Sequence, residues 1–331
     1  MMSSNHTLAK LPNDLVPRTG EREPLSEHTD AAIESGSRFD EARIVHPAHE
    51  RVIGAFDQAR RMGVASGDKR KMLIASLGAS GSGKTTSMET FAARTAAGRP
   101  PVGKHPAKPV VIVQVDNGCT NRRLWALVLE GHDDPPGRGT EETFRTRAYA
   151  TMRRAGTEMV IFDEAQHLLR SPSARDVTDT IKRILDDGVV TLGLVGTEAA
   201  LPLIQKNIQL ANRMLAPAPI KALDAKNEAD RTDFKAFLRK LDDFIVGRGI
   251  VPEQSFLDDP RILRCLFVIS AGVVGVAVNL IRQATVHAVS RGATRIEPYD
   301  LSRVTDDWAV PTGVCEDNPF PMVFDGKVVV R

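Results

Sequence analysis

The sequence has 331 residues, of which 42% are apolar and 26% are charged, and its formal net charge is +2 at pH 7. This length predicts about two domains, and this composition is typical of a globular protein with a sizeable hydrophobic core. Because the net charge is close to zero, a strongly basic nucleic-acid-binding protein is excluded, and any DNA contact would depend on local basic clusters.

Cysteine usage and apolar runs bear on the cellular compartment. The three cysteines lie far apart and are odd in number, so they predict neither a metal site nor a disulfide framework. The N-terminus lacks an apolar signal segment, and no apolar run is long enough to span a bilayer. We therefore expect a cytoplasmic protein without membrane contact.

Residues 1–45 are polar, with scattered proline, glycine and serine and little periodicity, and they predict a flexible N-terminal arm. This arm is either an unstructured leader or a tail that binds a partner. From His46 to Met62, apolar residues recur at helical spacing and predict a helix. Residues 71–77 form an apolar run that predicts the first buried strand.

A glycine-rich sequence connects this strand to a predicted helix over residues 85–97. It contains Gly78, four further residues and then Gly83-Lys84-Thr85, which is the complete pattern of a phosphate-binding loop. Glycines let backbone N–H groups point at a phosphate, Lys84 can reach the β- and γ-phosphates, and the Thr85 hydroxyl can ligate Mg²⁺. The alternative is a glycine-rich turn without a ligand. The predicted nucleotide-binding residues of this loop are Gly78, Ala79, Ser80, Gly81, Ser82, Gly83, Lys84, Thr85 and Thr86.

A second chemical pattern is an apolar strand over residues 159–163 that ends in two acids, Asp163 and Glu164. At the carboxyl end of a strand, Asp163 would hold Mg²⁺ and Glu164 would act as general base toward the attacking water. A position about 80 residues after Lys84 is typical of a magnesium–nucleotide site. The alternative is a capping aspartate followed by a solvated glutamate.

The next predicted strand, residues 189–195, is followed by Thr197. In a parallel sheet this hydroxyl would lie beside the two acids, where it could sense the γ-phosphate or hold the water. Its alternative role is to cap the helix predicted over residues 198–214. Residues 217–220 then predict a short fifth strand at the edge of the sheet.

The chain divides into four predicted regions. The β-branched strand 110–116 and its neighbours predict that residues 46–222 form a three-layer α/β domain around a parallel sheet. Residues 223–309 contain amphipathic helical segments and predict a small all-helical domain. Residues 310–331 predict a tail, in which Val328–Val330 either adds an edge strand or stays loose.

Taken together, these features resemble AAA+ ATPases and, within that class, the TniB/TnsC group of ATP-dependent regulators of DNA transposition. The resemblance covers about residues 46–308 and implies a P-loop AAA+ ATPase domain with a parallel sheet, followed by a small helical lid. Besides the loop and the two acids, the matching segments are Val113–Asp116, Val160–Leu168, Leu194–Ala200 and Ser270–Gly275.

The resemblance also implies roles for single residues. The loop would bind ATP and Mg²⁺, with Thr85 and Asp163 as the metal ligands. Arg213 lies where such proteins place an arginine finger that reaches a neighbour's ATP, which implies a head-to-tail homo-oligomer, either a ring or a helical filament. The alternative for Arg213 is a surface salt bridge at a helix end. The implied catalytic set is Lys84, Glu164, Thr197 and Arg213.

One position departs from the class. Many AAA+ lids carry an arginine that touches ATP, but the corresponding position here is Gly275. Either Arg282 or Arg291 would substitute for it. Weak, regulatory hydrolysis is therefore expected rather than the activity of a strong motor.

In this family, basic and polar residues around the second strand line the inner surface of the assembly. We expect sequence-independent, salt-sensitive contacts with the phosphates of double-stranded DNA, and the alternative is a solvated charged surface. The corresponding residues here are Lys104, Lys108, Thr120, Asn121, Arg122 and Arg123.

The implied function is an ATP-dependent regulator that oligomerises on target DNA and recruits a transposase, with a target-selection adaptor as a further partner. Hydrolysis would promote disassembly. The alternative is a signalling, defence or secretion-associated NTPase switch that acts through protein partners without DNA.

Overall fold

The structure, a computed structural model, describes residues 27–42, 44–67, 69–103, 105–170 and 174–324. Its strands are β1 (Leu73–Leu77), β2 (Val110–Gln114), β3 (Met159–Asp163) and β4 (Thr191–Gly196). Its α-helices are α1 (Glu27–Asp40), α2 (Pro47–Ala65), α3 (Lys84–Ala96), α4 (Asn121–Gly131), α5 (Glu141–Ala155), α6 (Ala174–Asp186), α7 (Leu201–Gln205), α8 (Ile208–Ala211), α9 (Glu228–Gly247), α10 (Pro260–Ser270), α11 (Val274–Ser290), α12 (Pro298–Val304) and α13 (Phe320–Phe324). Short 3₁₀-helices cover Ala165–Arg170 and Glu198–Ala200, and a π-helical turn covers Thr305–Ala309.

The four strands form one parallel sheet in the order β1-β4-β3-β2. Every residue of β1, β3 and β4 is buried, as the apolar runs predict for a sheet covered on both faces. Successive side chains of β3 enter opposite cores: Ile161 packs on the α2–α3 side and Phe162 on the α4–α6 side. The predicted three-layer α/β architecture around a parallel sheet is confirmed, and parallel pairing brings the carboxyl ends of all four strands to one edge.

Residues 217–220 form no strand, so the predicted fifth strand is wrong. The N–H groups of Leu215 and Ala218 donate to carbonyl oxygens of β1 at 2.7 and 2.8 Å, and no continuous ladder follows in this described segment. The two prolines between 217 and 220 have no N–H to donate, which prevents regular pairing. The segment nevertheless runs along the edge of β1.

The single helix predicted over residues 198–214 is also wrong. The structure has a 3₁₀-turn, α7 and α8 in its place. Asn207 causes the second break, because its side chain accepts a hydrogen bond from the Leu210 N–H at 3.1 Å and so starts a new helix.

Helices α9 to α12 pack around a separate apolar core that includes Phe234, Leu266 and Ile281, all fully buried. This is the predicted all-helical lid. Within the described part of the chain, no single helix is both long and apolar enough to cross a membrane. Helices α10 and α11 reach the required length and apolar content only when they are counted as one segment, and the chain bends by 116° between them.

The predicted N-terminal arm contains a packed helix. Helix α1 lies on α11, and its buried positions are Ala32, Ser35, Gly36 and Phe39. This spacing is helical, but only two of the four side chains are clearly apolar, so hydrophobic periodicity does not reveal it. The prediction of a flexible arm is therefore wrong for residues 27–40, and residues 1–26 lie outside the described part of the chain.

The predicted C-terminal tail also contains ordered structure. Helix α13 contacts α10 and α12, and Phe320 is buried in the lid core at 2% exposure. The possible strand at Val328–Val330 lies outside the described residues. The region boundaries at residues 45, 222 and 309 stay predictions.

Candidate functional site

The glycine-rich loop has the backbone that its sequence predicts. Gly81 and Gly83 have φ angles of 72° and 85°, a conformation that residues with side chains rarely adopt. Gly83 precedes the first turn of α3, which begins at Lys84. The loop therefore presents the N-terminal end of a helix at the carboxyl edge of the sheet, where backbone N–H groups and the helix dipole favour a phosphate.

Lys84 is 8% exposed, and its ammonium group is held by the loop itself. It donates to Gly78 O at 3.1 Å, to Ala79 O at 2.6 Å and to Ser82 Oγ at 3.0 Å. Burial lowers the pKa of Lys84, while the charges of Asp163 and Glu164 oppose that shift. These three oxygens satisfy the three donors of the ammonium group.

Thr85 and Asp163 provide two oxygen ligands side by side. Thr85 Oγ1 donates to Asp163 Oδ2 at 2.6 Å, and Asp163 Oδ1 accepts from the Glu164 N–H at 2.8 Å. Asp163 is 4% exposed, so its carboxylate is directed into the site rather than into solvent. Hydroxyl and carboxylate oxygens are the ligands that Mg²⁺ prefers, and this pair fits a partly hydrated magnesium ion.

Glu164 directly follows β3 with a φ of 56°, which is unusual for a residue other than glycine. Its carboxylate accepts a hydrogen bond from Gln166 Nε2, and Gln166 Oε1 accepts from the Thr197 N–H at 3.0 Å. The Thr197 side chain makes no capping hydrogen bond to the turn that follows it, so the alternative role as a helix cap is not seen. The third and fourth strands therefore bring Asp163, Glu164 and Thr197 together with the loop.

A histidine that the sequence analysis did not assign also contacts the loop. His49, on the first turn of α2, lies 3.0 Å from Ser82 O through Nε2, and burial lowers its pKa. A Cβ atom on Gly83 would lie 2.6 Å from His49 Cε1, so only glycine fits there. The signal in the sequence is the His46-Pro47-Ala48-His49 helix start just before the first strand.

A cavity of about 280 Å³ lies next to this histidine, between α1, α2, the loop and the lid. Its apolar lining includes Phe39, Ile44 and Phe237, and its loop side is formed by Gly83 and Thr86. An apolar pocket beside a phosphate-binding loop is suited to a planar base.

The lid touches the loop through backbone atoms. A Cβ atom on Gly275 would lie 1.9 Å from Gly81 O, so a side chain at position 275 would push the two apart. Arg282 lines the neighbouring cavity and binds Asp40 of α1 at 2.6 Å and 2.7 Å. Arg291 lies about 24 Å from Gly275 along the direction of α11 and binds Asp300, so it does not substitute for a lid arginine at this site.

Arg213 lies at the opposite end of the sheet. Its carbonyl accepts from the N–H of Leu73, the first residue of β1, and its guanidinium binds both oxygens of Asp186 at 2.8 Å and 3.0 Å. Strand β1 is about 16 Å long, so Arg213 cannot reach the loop of its own chain. Within one chain, Arg213 therefore forms a salt bridge, which is the alternative that the sequence analysis gave for it.

The residues predicted to contact DNA fall into two groups at opposite ends of β2, and Lys104 lies outside the described residues. Before β2, Lys108 binds Asp133 at 2.6 Å. After β2, Arg123 binds Asp116 and Glu130 at 2.5 Å and 2.6 Å.

The other three predicted DNA-contact residues lie at the start of α4. The Thr120 hydroxyl caps this helix through the Arg123 N–H, and the buried Oδ1 of Asn121 has no hydrogen-bond partner within the described residues. Arg122 is exposed and stacks over the Phe144 ring at 5.2 Å. The predicted DNA-contact residues that the structure describes therefore do not form a single basic surface.

Comparison with known proteins identifies the family. The family model described as "Bacterial TniB protein" matches residues 40–222, whereas no curated protein sequence matches the chain. Among solved structures, Cdc6p from Pyrobaculum aerophilum is similar with a TM-score of 0.58 and 15% identity over 82% of this chain and 70% of that one.

Two proteins from Aeropyrum pernix are similar to the same extent. The ORC2 protein, solved as ADPNP–ADP complexes, has a TM-score of 0.56 and 18% identity over 77% of this chain and 67% of that one. The Orc1 protein, solved in complex with DNA, has a TM-score of 0.54 and 15% identity over 80% of this chain. This chain spans 66% of that Orc1 chain, and identities this low show the fold alone.

The family match covers more than half of the chain, and it contains the phosphate-binding loop, both acids and the whole parallel sheet. This chain therefore belongs to the TniB family and is a P-loop ATPase of the AAA+ class.

Proposed function

We propose that this protein is an ATP-dependent regulator of DNA transposition that assembles on DNA and releases it after hydrolysis. The observation that carries the proposal is the convergence of the loop, Asp163, Glu164 and Thr197 at one sheet edge, inside the segment that matches the TniB family. This arrangement supplies a phosphate-binding loop, two oxygen ligands for Mg²⁺ and a general base, which phosphoryl transfer to water requires.

ATP binding begins with an exchange of partners at Lys84. Its ammonium leaves the carbonyl oxygens of Gly78 and Ala79 and binds the β- and γ-phosphates, while the loop backbone binds the remaining oxygens. Thr85 and Asp163 would hold Mg²⁺, which when bound neutralises negative charge on the phosphates. The cavity beside His49 would bind the planar base of the nucleotide.

Hydrolysis follows at the end of β3. Glu164 accepts a proton from the water that attacks the γ-phosphorus, the bond to the bridging oxygen breaks, and ADP and phosphate are released. Thr197, at the end of β4, lies beside the same pocket, where its hydroxyl or N–H would contact the γ-phosphate. Because position 275 carries no arginine, the negative charge of the transition state must be stabilised by Lys84 and by a group from another chain.

Arg213 is our candidate for that group. Because it lies across the sheet from its own loop, any contact with ATP is with a neighbouring copy, which requires a head-to-tail assembly. Asp186 would hold the guanidinium in place until the neighbour docks. Such an interface closes into a ring or continues as a helical filament.

DNA binding would use the basic residues around β2. Arg122 is exposed and forms no ion pair within the described residues, whereas Lys108 and Arg123 must exchange carboxylates for phosphates. These exchanges favour moderate, sequence-independent affinity that falls with added salt. A transposase and a target-selection adaptor are the protein partners that this function requires.

The test is electron microscopy of the purified protein with duplex DNA, in a slowly hydrolysed ATP analogue and in ADP. We expect assemblies on DNA only with the analogue, and we expect Glu164→Gln to keep them in ATP for longer than the wild type does. Assemblies of equal lifetime would contradict the role of hydrolysis. Free particles with both nucleotides would favour the alternative, a switch that acts through protein partners.

DNA contact is tested separately with Lys108→Ala combined with Arg122→Ala. DNA affinity should fall, and the slope of log affinity against log salt should decrease by about 1 for each lost phosphate contact, with ATP hydrolysis still measurable. Arg239→Ala, an exposed arginine on the lid, is the matched control. Unchanged affinity in the double variant would exclude these residues as the DNA surface.

A further inference from the structure

The side-chain amide of Gln166 connects the two strand ends of the catalytic site. Its Nε2 donates to Glu164 Oε2, and its Oε1 accepts from the Thr197 N–H at 3.0 Å. Gln166 is 8% exposed, so water offers little competition for either hydrogen bond. One buried side chain therefore contacts both the proposed base and the backbone beside the proposed γ-phosphate sensor.

The backbone at Glu164 and at Gly196 accommodates the two hydrogen bonds of Gln166. Glu164 has a φ of 56°, and such conformations persist only where the surroundings stabilise them. On β4, a Cβ atom at Gly196 would lie 2.4 Å from Gln166 Oε1, so a larger residue would displace the amide. An unusual backbone conformation at Glu164 and a close approach at Gly196 that favours glycine thus flank the same side chain.

The turn that carries Gln166 is anchored from its other face. The His167 N–H donates to Glu164 O at 2.9 Å, and His167 Nδ1 lies 2.9 Å from Val115 O after β2. The Gln166 amide therefore extends from a fixed turn, and its orientation is set by its two hydrogen bonds rather than by a mobile backbone.

We propose that Gln166 is a positioning residue that orients Glu164 for proton transfer and couples that orientation to Thr197. This inference rests on the proposed role of Glu164 as general base. The amide holds Glu164 Oε2 and leaves Oε1 to accept the proton from water. A displacement of Thr197 on contact with the γ-phosphate moves the amide, and the amide moves the base.

Two substitutions separate positioning from packing. Gln166→Met keeps the volume and removes both hydrogen bonds, whereas Gln166→Glu keeps the acceptor for the Thr197 N–H but places a carboxylate against Glu164. We expect kcat for ATP hydrolysis to fall about ten-fold or more in both variants, with KM for ATP within about two-fold of wild type. Gln205→Met, an exposed residue on α7, is the matched control.

The pH dependence provides a readout that packing alone would not move. In Gln166→Glu, repulsion between the two carboxylates should shift the acidic limb of the kcat profile to higher pH. The other charged groups near Glu164, which are Lys84 of the loop and Asp163 of β3, are unchanged in this variant. An unshifted limb together with wild-type kcat would overturn the proposal.

The double variants distinguish failure of this inference from failure of the proposed base. If Glu164 is the base, Glu164→Gln is nearly inactive, and adding Gln166→Met causes little further loss. Additive losses would assign Gln166 a role independent of Glu164 and would overturn the inference. Substantial hydrolysis by Glu164→Gln alone would instead refute the base assignment on which the inference rests.

Discussion

His46 is a titratable group buried at the junction of α2 and the lid. It has no exposed surface, its Nδ1 accepts from the Ala48 N–H at 3.1 Å, and its ring lies edge-on to Phe237 at 5.7 Å. Burial, followed by the nearby charge of His49, lowers the pKa of His46 from 6.5 to about 4. Since Nδ1 must accept a hydrogen bond to cap α2, protonation would remove the cap.

We expect this histidine to destabilise the protein in mild acid. In the unfolded chain His46 binds a proton below pH 6.5, but in the folded chain only below about pH 4, so the free energy of unfolding falls as pH decreases between these values. The loss from pH 7 to pH 5 is about 2 kcal/mol. Urea unfolding at both pH values measures it.

His46→Asn should remove most of this pH dependence, because asparagine also caps helices but does not titrate. His105→Asn, which alters an exposed histidine, is the control and should retain it. An identical drop in stability in wild type and His46→Asn would show that other groups cause the acid sensitivity.

At the scale of residues, sequence reasoning succeeds where the chemistry depends on neighbours along the chain. The spacing from Gly78 to Thr85 and the pair Asp163–Glu164 define their own geometry once a strand precedes them. Gln166 was missed because one of its two partners, Thr197, follows a different strand and lies 31 residues further along the chain. Arg123 was assigned to DNA because Glu130, about two turns further along α4, was not weighed as its partner.

At the scale of elements, the contact between the lid and the loop is a backbone contact. Gly275 lies in the first turn of α11, with no room for a Cβ atom against Gly81 O. An arginine at this position would not fit, because the lid lies directly on the phosphate-binding loop. We therefore expect a ligand that moves this loop to move α11 as well.

Gly275→Ala should separate the lid from the loop and weaken nucleotide binding by about ten-fold. The added methyl group cannot be accommodated against a carbonyl oxygen, so the shift falls on the loop or on α11. Titration with a fluorescent ATP analogue measures the affinity, and circular dichroism checks the fold.

The matched control is Gly247→Ala, at the end of α9, where an added Cβ atom meets nothing within 4 Å. This variant should bind nucleotide as the wild type does. Wild-type affinity in Gly275→Ala would mean that the lid tolerates displacement and does not support the loop.

Element prediction was reliable for strongly apolar segments and poor elsewhere. The buried strands lie within about two residues of their predicted bounds. Helix α1 escaped prediction because its buried face includes Ser35 and Gly36, which pack well without being apolar. The segment 217–220 does not form the predicted edge strand, because its two prolines cannot donate hydrogen bonds to a neighbouring strand.

At the scale of the molecule, the proposed assembly has a direct test in mixed variants. Arg213→Ala keeps its own catalytic acids but lacks the finger, whereas Glu164→Gln keeps the finger but lacks the base. In a head-to-tail assembly of equal amounts, about one site in four combines an intact base with an intact finger. The mixture should therefore hydrolyse ATP faster than either variant alone.

Arg239→Ala mixed with Glu164→Gln is the control, since this lid arginine takes no part in the proposed interface. Its activity should equal that of the diluted Arg239→Ala protein. A mixture of Arg213→Ala and Glu164→Gln that shows no gain, although both variants assemble, would refute the role of Arg213 in trans.

The packing of Phe39 into the lid core also affects the order in which the protein can fold during synthesis. This side chain leaves the ribosome before the whole parallel sheet, yet most of its partners, in α9 to α12, are translated only after that sheet. Helix α1 therefore has no lid core to pack against while the ATPase domain folds. Because the cavity beside the loop is lined by both α1 and the lid, the proposed nucleotide pocket is complete only after α11 has been translated.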